Sequence, residues 1–218
     1  MVFCKKEKSE KVMTWYEQDV AAVVKIREKC PYIPETIFYG SSTFTLWPNM
    51  YQEFEEFKPL NLGFGGSTLT ACNTFFEQII APLKKPQRLL LYAGDNDLGD
   101  GMNANTVFRN YLLFKSKLRY HFQDIPFYFI SIKPSIERFG MVDKIIATNK
   151  LVKENINASA GNDFYIDIFN DMLDDNGKPQ RKLFKADGLH LSSLGYEIWK
   201  EAIMSYLVLT EQLTSVAC

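Results

Sequence analysis

The chain has 218 residues, 46% of them hydrophobic, with 25 basic and 26 acidic side chains and a formal net charge of −1. That is enough apolar material for one domain with a substantial core. Near-neutral charge with no basic face argues against a nucleic-acid partner. No apolar run approaches the ~18 residues of a membrane helix, so no transmembrane segment is expected.

In chain order, Lys11 to Lys29 reads as an amphipathic helix, with Met13, Tyr16, Val20, Val23 and Val24 near the helical period. Glu35 to Gly40 is a short apolar strand ending in glycine. Ser42 to Phe57 is mixed and interrupted by Pro48. A shorter strand is expected over Pro59 to Phe64 and a helix over Cys72 to Ile80. Arg88-Leu-Leu-Leu-Tyr-Ala-Gly94 is the clearest strand. A helix over Thr106 to Phe122, a strand over Pro126 to Ile132, a helix over Val142 to Ala158, a strand over Phe164 to Ile168 and a closing helix over Leu194 to Leu209 complete the pattern. Strands alternating with helices predict a parallel sheet covered on both faces. Continuously apolar strands fit that burial. Most of the 17 Phe and 11 Tyr fall in these strands and helix faces and read as core. Residues 1–34 are expected to be a tether and first helix packed on a domain spanning 35–218.

Cys4, Cys30, Cys72 and Cys218 are far apart, with no C-x-x-C pair. Neither a structural zinc site nor a disulfide framework is expected, and unpaired thiols suit a reducing, cytoplasmic compartment. The start MVFCKKEKSEK has no apolar signal core. The alternative is an exported or lipid-anchored chain attached through Cys4 after loss of a signal peptide.

Four loops at or near the carboxyl ends of the strands carry polar groups, which is where such sheets place working residues. The first, Gly40-Ser41-Ser42-Thr43, puts a hydroxyl at a helix start, where N–H groups are free and negative charge is favoured; the plain alternative is a serine N-cap. The second, Gly63-Phe64-Gly65-Gly66-Ser67-Thr68, lets backbone approach a ligand closely, or is an ordinary tight turn. The third is Ala93-Gly94-Asp95-Asn96-Asp97. Asn96 supplies an uncharged amide donor suited to an oxyanion, and Asp97 is expected to cap a helix. The fourth holds Asp187 and His190, the latter one of two histidines in the chain. An aspartate in reach of the ring can fix its tautomer and stabilise its charged form. His121 sits between Tyr120 and Phe122 in a helix-like run. Together the loops supply a nucleophile, a base, an orienting carboxylate and oxyanion donors, the set that acyl transfer needs.

These four blocks, in this order from about Ile37 to Trp199, resemble the SGNH hydrolases, also called the GDSL esterase/lipase family. The resemblance implies a three-layer α/β/α sandwich with a flavodoxin-like, five-stranded parallel sheet. It makes Ser42 the nucleophile and Asp187 and His190 its triad partners, from the D-x-x-H in DGLHLSSLGY. It places the oxyanion hole at the Ser42 and Gly66 N–H groups and the Asn96 side chain, from the G-x-N-D read as Gly94-Asp95-Asn96-Asp97. The first block departs from G-D-S, because Ser41 stands where the family has aspartate. Ser42, second after the strand-ending Gly40, is the preferred nucleophile over Ser41.

The expected activity is ester hydrolysis of short acyl groups, such as acetyl on a carbohydrate or a small lipid, without metal or organic cofactor. A small-molecule ester is the expected partner. An acyltransferase and a non-catalytic binding protein are the alternatives on the same scaffold. Trp47 could wall the pocket or stack on a sugar, with core packing the competing reading. Lys133, after the fourth strand, could meet an anionic substrate group, with a solvated side chain the favoured reading.

Overall fold

The computed structural model describes residues 3–216, with side chains described from 15 to 212. The elements run α1 (Phe3–Glu28), β1 (Thr36–Gly40), α2 (Ser42–Thr45), α3 (Met50–Glu53), β2 (Pro59–Asn61), α4 (Leu69–Thr74), α5 (Phe76–Ile79) and β3 (Arg88–Tyr92). They continue with α6 (Asp95–Gly99), α7 (Ala104–Phe122), β4 (Phe127–Ile130), α8 (Val142–Asn157), β5 (Asp163–Ile166) and α9 (Ser193–Val216). Among the described residues the strands form one parallel sheet of order β2-β1-β3-β4-β5, the flavodoxin-like arrangement.

The strand residues divide between two cores by the period-two alternation of a strand. Ile37, Tyr39, Leu89, Leu91, Phe127 and Phe129 pack on one face with apolar residues of α1, α4, α5, α7 and α8. Phe38, Leu90, Tyr92, Tyr128, Ile130 and Ile166 pack on the other with Phe44, Met50 and the Tyr196, Trp199, Ile203 and Leu207 stripe of α9. Both faces are covered, so the central strands carry no polar side. This is the three-layer α/β/α sandwich expected from the sequence.

Local boundaries differ from the sequence reading in instructive ways. Helix α1 starts at Phe3, well before Lys11. The lipid-anchor reading of Cys4, and Cys218, lie outside the described side chains; Cys30 and Cys72 are free thiols. The single helix expected over Cys72 to Ile80 is two, broken at Phe75. There the ring turns in to meet Tyr16 and Phe64 edge-on. Helix α4 also begins early, because the Thr68 hydroxyl accepts the Ala71 N–H at 3.0 Å and caps it.

One glycine sets the sheet edge where the polar loops gather. Gly40 has φ +138°, and a Cβ there would lie 2.0 Å from the Tyr92 carbonyl oxygen. Only glycine lets the end of β1 adopt this conformation so close to β3. The chain then turns directly into α2. Among the described residues no helix is long and apolar enough to cross a membrane.

Candidate active site

The carboxyl ends of β1 and β3 deliver Ser42 and Asn96 with almost no intervening chain. Ser42 is the first residue of α2, and its Oγ lies 3.3 Å from His190 Nε2, across 148 residues of sequence. Ser41 occupies the N-cap position but makes no capping bond through its side chain and is buried. Of the two serines in the first block, Ser42, not Ser41, meets the imidazole. Helix α2 is a single turn, so it offers unused N–H groups rather than a substantial macrodipole. Its position is fixed by Tyr196, which donates its hydroxyl to the Thr43 carbonyl at 2.9 Å, and by Asn61, whose Nδ2 donates to the Phe44 carbonyl at 2.7 Å.

On the far side of the ring, His190 Nδ1 lies 2.7 Å from Asp187 Oδ2. The other carboxylate oxygen accepts the Leu189 and His190 backbone N–H groups, each at 2.9 Å. The bond to His190, reinforced by those two N–H donors, holds the Asp187 carboxyl well below the usual carboxylate range. An ionised carboxylate only accepts, so in the neutral ring Nδ1 carries the proton and the Nε2 lone pair faces Ser42. The local turn is closed by Lys185, which donates its N–H to the His190 carbonyl at 2.8 Å, and by a Phe184–Leu191 bridge.

Gly66 has φ +65°, and a Cβ there would meet nothing within 4 Å. The glycine is therefore required by backbone conformation rather than by space. The Gly66 carbonyl accepts the Tyr16 hydroxyl at 2.9 Å. Neither the Gly66 nor the Ser42 N–H has a protein acceptor among the described residues. Asn96 donates through Nδ2 to the Ser67 carbonyl at 3.0 Å, which keeps one amide hydrogen uncommitted and ties the third loop to the second. Its Oδ1 accepts from Arg138 Nη2 at 2.9 Å.

Asp97 supports a helix N-terminus, but not that of its own helix α6, where Gly94 is the cap residue. Its Oδ2 accepts the Leu69 N–H of α4 at 2.8 Å. Burial pushes its carboxyl up to about 6, against the pull of the backbone donors.

Lys133 departs from both of its readings, and Trp47 takes the core-packing one. Lys133 is neither solvated nor open to a substrate anion. Its side chain is 3% exposed, and its Nζ donates to Asp95 Oδ2 at 2.8 Å and to the Tyr92 hydroxyl at 3.1 Å. A lysine buried beside a buried carboxylate is held there by the cost of leaving either charge unpaired. Trp47 belongs to the core: it is 4% exposed, packs against Phe54, Tyr196 and Trp199, and donates Nε1 to Glu53 at 2.8 Å. It does not line the site as an open platform. His121 lies elsewhere, 3.2 Å from Glu77.

Sequence reasoning missed Tyr16 and Arg138, both in contact with expected site residues from elements far away in the chain. No local pattern marks either of them. Lys133 carried a faint signal, since a lysine so soon after the apolar strand β4 has little water to reach. Among the described residues no three His, Cys, Asp or Glu side chains are grouped to hold a metal ion.

A family model described as the GDSL-like Lipase/Acylhydrolase family matches residues 35–198. Among solved structures, the chain is similar to a Streptococcus pneumonia protein named for platelet activating factor, at 19% identity and TM-score 0.79, covering 95% of this chain and 99% of that one. It is also similar to a GDSL-like lipase from Bacteroides thetaiotaomicron, at 18% identity and TM-score 0.69, covering 90% and 97%. A carbohydrate esterase family 3 protein from Talaromyces cellulolyticus gives 15% identity and TM-score 0.64, covering 80% and 96%. At such identities these likenesses concern the fold. No curated protein sequence matches the chain.

Proposed function

The chain belongs to the GDSL-like lipase/acylhydrolase family of carboxylic ester hydrolases, and with that as premise we propose that it cleaves short-acyl esters through a Ser42–His190–Asp187 triad. The observation that carries the reading is the continuous chain from Ser42 Oγ to His190 Nε2, 3.3 Å, and from His190 Nδ1 to Asp187 Oδ2, 2.7 Å. A spacing of 3.3 Å is loose for a catalytic hydrogen bond, as is common before substrate binds.

In this reading the Nε2 lone pair takes the hydroxyl proton as Ser42 Oγ attacks the ester carbonyl. Negative charge develops on the carbonyl oxygen, and the Ser42 and Gly66 N–H groups with the Asn96 amide stabilise it. His190, now charged and held by Asp187, returns the proton to the departing alcohol, leaving an acyl-enzyme. Water then attacks with His190 again as base, the acid leaves and Ser42 is regenerated. Every proton is carried by these side chains, so the reading calls for no cofactor.

The preference for small acyl groups, such as acetyl on a carbohydrate or a small lipid, is supported by how the rim is built. The segment 131–141 is pinned by Asn149, which bonds both the N–H and the carbonyl of Ile132, and by the Lys133 and Arg138 ion pairs. The segment 167–192 is tied to the end of β4, where the Ser131 hydroxyl accepts the Ile168 N–H at 2.9 Å, and it folds back on itself through the Leu173–Pro179 and Phe184–Leu191 bridges. A fixed rim does not form a hinged apolar lid over a long chain.

The test is turnover of p-nitrophenyl acetate, followed by a panel of acyl esters of increasing length that includes acetylated sugars. Acetyl and other short esters should be best, and Ser42→Ala should be inactive. Turnover that survives Ser42→Ala, or rises steadily with chain length, overturns the corresponding part. An added alcohol acceptor that captures the acyl group in preference to water identifies an acyltransferase instead.

A further inference from the structure

A buried group of charges next to the site takes no part in the steps above. Asp95, which begins α6, is 4% exposed, yet its carboxylate meets two cations. Lys133 Nζ lies 2.8 Å from Oδ2, and Arg138 Nη1 pairs with Oδ1. Burial pushes the Asp95 carboxyl up, but the Lys133 and Arg138 charges outweigh it and hold the group below its ordinary value. Three charges in a largely dry place are costly to maintain, and replacing such clusters by apolar groups is often neutral or stabilising. Stability is therefore a weak reason for this one to exist.

The second arm of Arg138 points to another reason. Nη1 is on Asp95 while Nη2 donates to Asn96 Oδ1 at 2.9 Å. The planar fork thus fastens two successive side chains of α6 at once, which a point charge does not do. An asparagine amide has an accepting edge and a donating edge, and a half-turn of the group exchanges them. With Arg138 on Oδ1 and the Ser67 carbonyl accepting from Nδ2 at 3.0 Å, one orientation is enforced from both ends. The charge-assisted bond at Oδ1 also draws electron density from the amide and strengthens its N–H donors. Gly99 leaves room for the guanidinium: a Cβ there would lie 3.1–3.2 Å from its Nη2, Cζ and Nε atoms.

We propose that Arg138, braced by Asp95 and Lys133, is a positioning residue for the oxyanion site, fixing the Asn96 amide so that its donor edge faces the reacting carbonyl. The same segment reaches the other half of the site. The Glu137 N–H donates to the Gly188 carbonyl at 3.1 Å, inside the loop that carries Asp187 and His190. One connection after β4 therefore holds the register between the oxyanion donor and the base. The proposal rests on the serine-hydrolase reading given above.

The experiment is a double-mutant cycle on p-nitrophenyl acetate with Arg138→Lys, Asn96→Ala and the pair. Arg138→Lys keeps a positive charge for Asp95 but loses the fork. It should lower kcat by about tenfold to a hundredfold with KM within about twofold, a loss bounded by the ~10²–10³-fold value of one oxyanion donor. In the Asn96→Ala background the same change should cost less than about twofold, because the amide it positions is gone. Gly99→Ala is the second variant, pressing on the guanidinium without removing any charge. It should lower kcat severalfold while near-ultraviolet circular dichroism stays native. Wild-type kcat in both Arg138→Lys and Gly99→Ala, or a full additive loss in the Asn96→Ala background, overturns the proposal and leaves the hydrolase reading standing. Full kcat in Asn96→Ala alone overturns the oxyanion assignment and the proposal with it.

Discussion

Tyr16 in α1 donates its hydroxyl to the Gly66 carbonyl at 2.9 Å, joining a helix outside the matched family region to the glycine loop of the site. Its ring packs edge-on against Phe64, at 5.5 Å between centroids, so the ring stays in place if the hydroxyl is removed. Tyr16→Phe should lose about 1 kcal/mol of stability, the usual worth of one hydrogen bond. If the bond also steadies the Gly66 N–H, kcat should fall severalfold with KM little changed. A drop in melting temperature with wild-type kcat would restrict Tyr16 to a structural role.

Ser42→Ala should abolish esterase activity, by about 10⁴-fold or more, with the fold retained. Ser41→Ala should cost far less, since its hydroxyl meets neither His190 nor a helix N–H. Rates of both variants against the same ester check the assignment, and the reverse pattern would make Ser41 the nucleophile.

Asp187→Asn should cost about 10⁴-fold in kcat, because its amide can donate to Nδ1 and turn the Nε2–H toward Ser42. The carboxyl is held well below its usual range, so Asp187 remains an acceptor throughout the mildly acidic region. Its contribution is lost only as pH falls through that depressed value. A variant retaining more than about a tenth of wild-type kcat would remove Asp187 from the triad.

Asp97 gives a stability test with a definite sign. Its folded-state value is raised from the ordinary carboxyl value to about 6, so between those limits the folded chain binds more protons than the unfolded one. The Asp97 contribution should therefore make the protein less stable as pH rises through this window and level off above about 6, by on the order of 3 kcal/mol in total. Asp97→Asn can still accept the Leu69 N–H and should lack this dependence. Urea unfolding of both proteins from pH 4 to 7 checks it, and parallel curves would show that Asp97 ionises at an ordinary pH.

The strands β1, β3, β4 and β5 were legible in the sequence because each is a short, mainly apolar run, and burial on both faces leaves no alternation to misread, whereas β2 stops at Asn61, three residues short of the expected Phe64. The helix at Cys72 to Ile80 was less legible, since its break at Phe75 depends on rings from β2's loop and α1. Candidate site residues were legible where one short segment carries the polar groups. Ser42 beside Gly40, Asn96 beside Gly94 and the Asp187–His190 pair each occupy a few consecutive positions.

What the sequence determined by itself was the order of elements, the two-sided sheet and the four polar loops that carry Ser42, Gly66, Asn96 and the Asp187–His190 pair. Those follow from hydrophobic periodicity and from residue types at fixed short spacing, both local properties. Only the tertiary structure decided which serine meets His190, that Lys133 is spent on Asp95 and Trp47 on the core, and that Tyr16 and Arg138 reach the site. Each of those is a contact between segments tens of residues or more apart, 38 between Lys133 and Asp95 and 148 between Ser42 and His190. Whether a polar side chain faces water, substrate or a buried partner is set by what the fold brings against it, and neighbouring residues in the chain carry no record of that.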